Sequence, residues 1–209
     1  LHVLCQRPDV EVVGLFSTYN EAFARVAMHG VRIELVRRQA EGVGLPVELI
    51  PIPHPCSDEA YAEIMEAFVT RARKRGIGCF AFGDLLLEDV RRYREEKLRG
   101  TGMAPLFPLW GTPTEALSRQ MVRRGLRAVV TCLDPDQVPE DLAGHGYDES
   151  FLKRLPAEVD PCGENGEFHT FAFDGPMFDR AVHVVVGETV TRDGFVFTDL
   201  LPEEEAGAG

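Results

Sequence analysis

The sequence contains no CxxC pair, no apolar run long enough to cross a bilayer, no visible secretory-type segment, no internal repeat and no long linker. The missing CxxC spacing argues against a structural zinc site. Its five cysteines, Cys5, Cys56, Cys79, Cys132 and Cys162, are odd in number and widely scattered. That pattern suits reduced thiols in a cytoplasmic protein, not a disulfide framework. Trp110 is the single tryptophan. What is present, 209 residues at 44% apolar, suffices for a real core in one large or two small domains.

Basic charge is scarce in the second half. Residues 1–105 carry 14 basic and 15 acidic side chains, whereas 106–209 carry 8 and 19, which accounts for the net charge of -12. The second half repels nucleic acid and anionic membrane, and the first could accept an anion locally.

The densest chemistry lies in Asp160-Pro-Cys-Gly-Glu-Asn-Gly-Glu-Phe-His-Thr170. Three carboxylates (Asp160, Glu164, Glu167), the Cys162 thiol and the His169 imidazole fall within ten positions, punctuated by Gly163 and Gly166. Clustered carboxylates repel unless a cation, a proton or a cationic substrate sits among them. Three readings stand: a metal site of ambiguous preference, a loop handling a cation or ammonia, and a structural turn into a strand over 169–173.

Valine-rich residues 10–17 read as a buried strand, 21–43 as a helix closed by Gly44 and Pro46, and 47–52 as a second strand. Ser57 caps a helix over 58–75 that Gly76 closes, and 78–82 form a third strand. Strands alternating with helices imply a parallel sheet with right-handed crossovers. Beyond Gly83, residues 88–99 read as a charged helix and 106–110 as a short apolar piece. Thr112-Pro-Thr-Glu115 reads as a capping box, its helix ending near Gly125, with a strand over 127–133. Residues 183–186 and 195–197 flank Arg192-Asp-Gly194, an Asp-Gly hairpin signal. Residues 203–209 read as a disordered tail.

The expected fold is therefore α/β: a Rossmann-like parallel sheet over 1–105, then a smaller α+β region over 106–202 with a C-terminal β-hairpin. Because ligands in open α/β sheets bind off the carboxyl ends of strands, Gly83-Asp84 is a candidate site, although Asp84 could simply cap the next helix. Glu88, Arg91, Arg92 and Glu95 recur at helical spacing. They are either a solvated ion-paired face or a source of arginine for phosphate or carboxylate. A base could stack near Phe16 and Met28, beside Ser17, although Met28 also serves as core filler. Trp110 is read as core before platform.

Four segments resemble the diphthine–ammonia ligase family, a branch of the PP-loop ATP pyrophosphatases. They are Met28-His-Gly-Val-Arg32, Phe82-Gly-Asp-Leu-Leu-Leu-Glu-Asp-Val-Arg-Arg-Tyr-Arg94, Phe107-Pro-Leu-Trp-Gly111 and Asp160 to Thr170. The resemblance implies ATP, with Mg2+, at the sheet's carboxyl edge, attack by a substrate carboxylate on the α-phosphate, loss of pyrophosphate, and displacement of AMP by ammonia. It implies Phe16, Ser17, Met28 and Gly83 on the nucleotide side. It implies Asp84, Glu88, Arg91, Arg92, Cys162, Gly163 and Thr170 on the substrate side. Glu164 or Glu167 would position ammonia as general base while His169 orients the loop. The family's Ser-Gly-Gly-Lys-Asp-Ser type loop is not in the sequence. It is expected before Leu1, where the chain opens as if within a helix, and without it the chain should be impaired. The loop's wording looks like the bacterial branch, whose hosts lack the diphthamide-modified factor, so the acid could be a protein residue or another small molecule.

Two other functions compete. One is an adenine-nucleotide-binding protein without turnover on the same fold. The other is a metal-dependent hydrolase using Asp84, Cys162 and His169. A homo-oligomer is compatible with the sequence but not readable from it.

Overall fold

The computed structural model describes residues 1–203. The short helix α1 (His2–Cys5) leads into strand β1 (Leu15–Asn20), helix α2 (Ile33–Gly42), strand β2 (Val47–Ile52) and helix α3 (Asp58–Lys74). Strand β3 (Cys79–Ala81), helix α4 (Glu88–Leu98), strand β4 (Ala104–Leu106) and helix α5 (Thr114–Arg123) follow. Strand β5 (Arg127–Leu133), a 3-10 turn (Glu140–Leu142), helix α6 (Glu149–Arg154) and strands β6 (Phe168–Asp174), β7 (Val184–Arg192) and β8 (Phe195–Pro202) complete the chain. The first half holds two parallel pairs, β1 with β2 and β3 with β4. The second half holds an antiparallel sheet in the order β6-β5-β8-β7. The architecture is a Rossmann-like α/β arrangement followed by an antiparallel strand group. No helix among the described residues is long and apolar enough to cross a membrane.

Local chemistry sets several boundaries. Ser57 Oγ accepts from the Ala60 amide at 3.2 Å and starts α3, while Gly76 at φ 83 leaves it in the left-handed region open to glycine. Arg192 pairs with Phe195, leaving Asp193 (φ 51) and Gly194 (φ 84) as a two-residue turn with both angles positive. That geometry matches the right-handed twist of β7 and β8.

Three expectations are corrected. The strand expected over 10–17 lies at Leu15–Asn20, so Ser17 sits within it, not at its end. The helix expected over 21–43 begins only at Ile33. Residues 21–32 instead form a folded loop with bridges Asn20 to Arg25 and Arg25 to Arg32, and with Ala24 and Met28 at positive φ. A helix cannot carry those angles. The Thr112 capping box does not form either: α5 begins at Thr114, is preceded by Pro113 and has no side-chain cap. Of the expected tail, Glu203 is ordered, its amide donating to the His183 carbonyl at 3.1 Å; residues 204–209 lie outside the described residues.

Three apolar clusters hold the elements. Ile50, Phe68, Phe80 and Met103 knit the parallel pairs over α3. Val130, Leu133, Leu142, Phe151 and Phe168 form the core of the antiparallel sheet. Val31 and Leu35 pack on Val129, Phe171, Val182 and Leu200, joining α2 to that sheet. Polar bonds fasten the loop before α2 at the same seam. Arg32 grips Asp199 through two bonds, 3.1 Å from Nε and 2.5 Å from Nη2, and Arg25 Nη1 reaches Asp199 at 2.8 Å. Gly30 is needed here, because at φ 64 an added Cβ would stand 3.1 Å from the Phe197 ring.

Partial burial alone would push the Asp199 carboxyl up. Hydrogen bonds and charge from Arg32 and Arg25 outweigh it and hold the group at about 2. A folded-state value below the unfolded one stabilises the protein above pH 4, and that contribution fades as pH falls from about 4 towards 2. Discounted for solvent screening, it amounts to about 1–2 kcal/mol. Urea unfolding of Asp199→Asn should show that deficit at pH 7 and almost none at about pH 1, below the folded-state value; an equal deficit at both would refute the linkage.

Candidate functional site

The tip of β3 continues as Gly83-Asp84-Leu85-Leu86 before α4. Asp84 does not cap that helix, which starts after Leu87 without a side-chain cap. Its carboxylate is instead gripped by Arg94, with Nε to Oδ2 at 2.5 Å and Nη2 to Oδ1 at 3.2 Å, and the guanidinium lies 4.4 Å from the Phe82 ring centre. Bidentate pairing of this kind fixes orientation as well as charge. The sequence reading missed Arg94, although it lies three positions beyond Arg91. Arg91 itself pairs with Glu95 at 2.8 Å and lies over Trp110 at 4.7 Å and Phe107 at 5.0 Å, so Trp110 serves as a platform for a cation. Glu88 and Arg92 are exposed on the same helix.

The loop 160–167 lies directly against this tip. Glu164 Oε1 accepts from the Leu85 amide at 2.6 Å and from the Leu86 amide at 3.0 Å. Its three carboxylates do not form an open acid cluster, because each is engaged with backbone amides. Asp160 Oδ1 accepts from the Cys162 amide at 2.8 Å and the Glu164 amide at 3.4 Å. Glu167 Oε1 accepts from the Asp160 amide at 2.9 Å and Asn165 Nδ2 at 3.0 Å, and Oε2 from the Asn165 amide at 3.0 Å. With 1% of its surface exposed, Glu167 is buried, and these bonds hold the loop 160–167 together.

Cys162 turns from the cleft into the fold, its Sγ 3.4 Å from the Thr114 carbonyl, while the Tyr147 hydroxyl donates to the Pro161 carbonyl at 2.6 Å. Burial, reinforced by the charges of Asp160 and Glu164, pushes the thiol up to about 12, so it is held protonated at neutral pH. His169, on β6, stands ring to ring with His29 at 4.5 Å. Burial, then the neighbouring His169, pushes His29 down to about 4 despite a hydrogen bond at the Thr170 backbone, and burial lowers His169 as well. Both rings are neutral at pH 7. Thr170 pairs with Val130 in the sheet.

The nucleotide-side candidates are less gathered. A cleft of about 740 Å³ runs between β1 and β3, and Phe16 and Gly83 line it. Most of its lining comes from the segments that lead into β1, β2 and β3, at the amino ends of those strands. Phe16 also packs on Phe68 and Phe80, with ring centres 5.0 and 5.1 Å away. Ser17 Oγ donates to the Thr18 carbonyl, and Met28 stands half exposed on the folded loop; neither lines the cleft. Among the described residues no three His, Cys, Asp or Glu side chains converge to hold an ion. Asp84, Cys162 and His169 therefore do not form a three-ligand cluster.

A glycine-punctuated loop docked on the carboxyl tip of a parallel strand belongs to a Rossmann-like α/β protein, a fold class in which ligands bind off the strand ends. Residues 113–199 match the sequence profile of the diphthamide synthase C-terminal domain. The chain is 27% identical to the diphthine–ammonia ligase of Bos taurus over 208 residues, covering 91% of this chain and 75% of that protein. It is 28% identical to the Rattus norvegicus protein of that name (68% and 55% covered), and 31% to that of Danio rerio (54% and 46%). Over most of its length the chain is similar to proteins named diphthine–ammonia ligase, an enzyme, and its second half matches the C-terminal domain model of diphthamide synthase.

Gly163 sits at φ 69, where an added Cβ would stand 2.5 Å from the Phe168 carbonyl oxygen, whereas Gly166 at φ 85 has open space. Gly166→Ala should cost about 1–2 kcal/mol for the left-handed backbone alone. Gly163→Ala should cost about 2–4 kcal/mol, because backbone must also shift. Denaturant midpoints compare the two, and equal losses would contradict this packing.

Proposed function

We propose that this protein is an ATP-dependent amide ligase. A substrate carboxylate attacks the α-phosphorus of ATP, forming an acyl-adenylate and releasing pyrophosphate. Ammonia then attacks the acyl carbon, the bond to AMP breaks, and the amide forms as a proton leaves the nitrogen. Carboxylate oxygen is a poor leaving group and AMP a good one, which is why activation precedes amidation. The observation carrying this reading is the docking of Glu164 on the Leu85 and Leu86 amides. It brings together the two longest segments that resemble the family, one at a strand tip where a nucleotide would end and one where an acyl acceptor would enter.

In this reading Asp84, held by Arg94, and Gly83 face the nucleotide. Arg91 and Arg92 are the nearby cations available to an anionic substrate, with exposed Glu88 beside them. Gly163 and Thr170 shape the loop, and His169 stands neutral beside it. Ammonia, not ammonium, is the attacking species, so a neutral imidazole pair suits the surroundings better than two cations would. The five free thiols support a reducing, cytoplasmic setting. The acid amidated is a modified protein residue or a small molecule.

The protein, given ATP, ammonium and a panel of carboxylates that includes a diphthine-bearing protein, should release AMP and pyrophosphate in equal amounts with the amide. ADP with phosphate would refute the ligase reading. Nucleotide binding without turnover across the panel would favour a non-catalytic nucleotide-binding protein.

A further inference from the structure

We infer that Glu164 is a positioning residue that latches the loop 160–167 onto the β3 tip through its side-chain oxygen, and is not the base of the amidation step. The assignment of a catalytic effect to it rests on the ligase reading; the latch itself does not. Three observations carry the inference. Both bonds fall on one atom, Oε1, which receives the Leu85 amide at 2.6 Å and the Leu86 amide at 3.0 Å. A carboxylate accepting two amides is held in place by charge-assisted bonds and has little freedom to swing toward a reacting atom. The loop behind it is rigid for separate reasons: Glu167 and Asp160 engage its own amides, and Gly163 sits tight on the Phe168 carbonyl. The tip in front is equally fixed, by Arg94 on Asp84 and by the Gly111 amide donating to the Leu85 carbonyl at 2.9 Å. Glu164 therefore joins two pre-shaped pieces, and the distance between an activated acyl group at the tip and an acceptor at the loop depends on it.

Glutamine separates this role from general-base chemistry. Its amide oxygen can take the place of Oε1 and keep both bonds, whereas it cannot accept a proton at neutral pH. The experiment compares Glu164→Gln and Glu164→Ala with the parent. Amide proton exchange at Leu85 and Leu86 is read by NMR on this chain, with Val130 and Leu133 in the buried sheet as controls for folding. Turnover is read on the same protein. Alanine should speed exchange at Leu85 and Leu86 about tenfold or more and leave the controls unchanged, while glutamine leaves all four near parental values. In turnover, glutamine should keep kcat for amide formation within about threefold, while alanine lowers kcat about thirtyfold with little change in KM for ATP. Unchanged exchange in the alanine variant would overturn the latch. Parental exchange in the glutamine variant with amide formation abolished would overturn the positioning role and make Glu164 a catalytic carboxylate. If the parent makes no amide, the ligase reading fails while the exchange result still decides the latch.

Discussion

Carboxylates that accept hydrogen bonds from backbone amides are the constraint on which this molecule's site depends. Three acids in eight residues would drive one another apart if they shared one open space. Asp160, Glu164 and Glu167 avoid this by each taking different amides, two of them inside the loop and one across to the β3 tip. Each carboxylate loses water and regains bonds to N–H groups that would otherwise be left without partners. The charge that looks like a binding site in the sequence is thus largely spent on shaping the loop. What remains for chemistry is the geometry the acids enforce.

The same logic operates at the seam between the two halves. Asp199 on β8 draws Arg25 and Arg32 from the loop before α2, and Val31 and Leu35 follow into an apolar cluster with Val129 and Phe171. His29 then reaches His169, so the folded loop and the end of the acidic loop meet as two neutral rings. Charge pairing and apolar packing there act on one short segment. That segment lies beside the site instead of continuing as helix.

The parts of the fold legible in the sequence are those set by local chemistry. Ser57 before α3, Gly76 after it, and Asp193-Gly194 between β7 and β8 state their roles in their own residue types. The helix expected over 21–32 failed because helical spacing of apolar residues says nothing about a positive φ at Met28, or about an aspartate 167 positions away in sequence that captures Arg32. The Thr112 box failed because a correct pattern of residue types does not place the first turn. At the site, Gly83-Asp84 and Glu164 were legible as candidates, and their convergence follows from α/β topology. The burial of Glu167 to 1% was not legible, because it depends on how β5, β6 and the 160–167 loop fold together, which no spacing within the loop reveals. Arg94 was overlooked because its partner is ten residues earlier, beyond helical neighbour rules.

The most direct test of carboxylate-to-amide organisation is scalar coupling across the hydrogen bonds themselves, measured by NMR in uniformly labelled protein. The account predicts detectable coupling from the Leu85 amide nitrogen to the Glu164 side-chain carboxyl carbon, and from the Asp160 amide nitrogen to that of Glu167. A freely rotating Glu164 side chain, with no coupling at Leu85 while the Glu167 coupling is present, would contradict it.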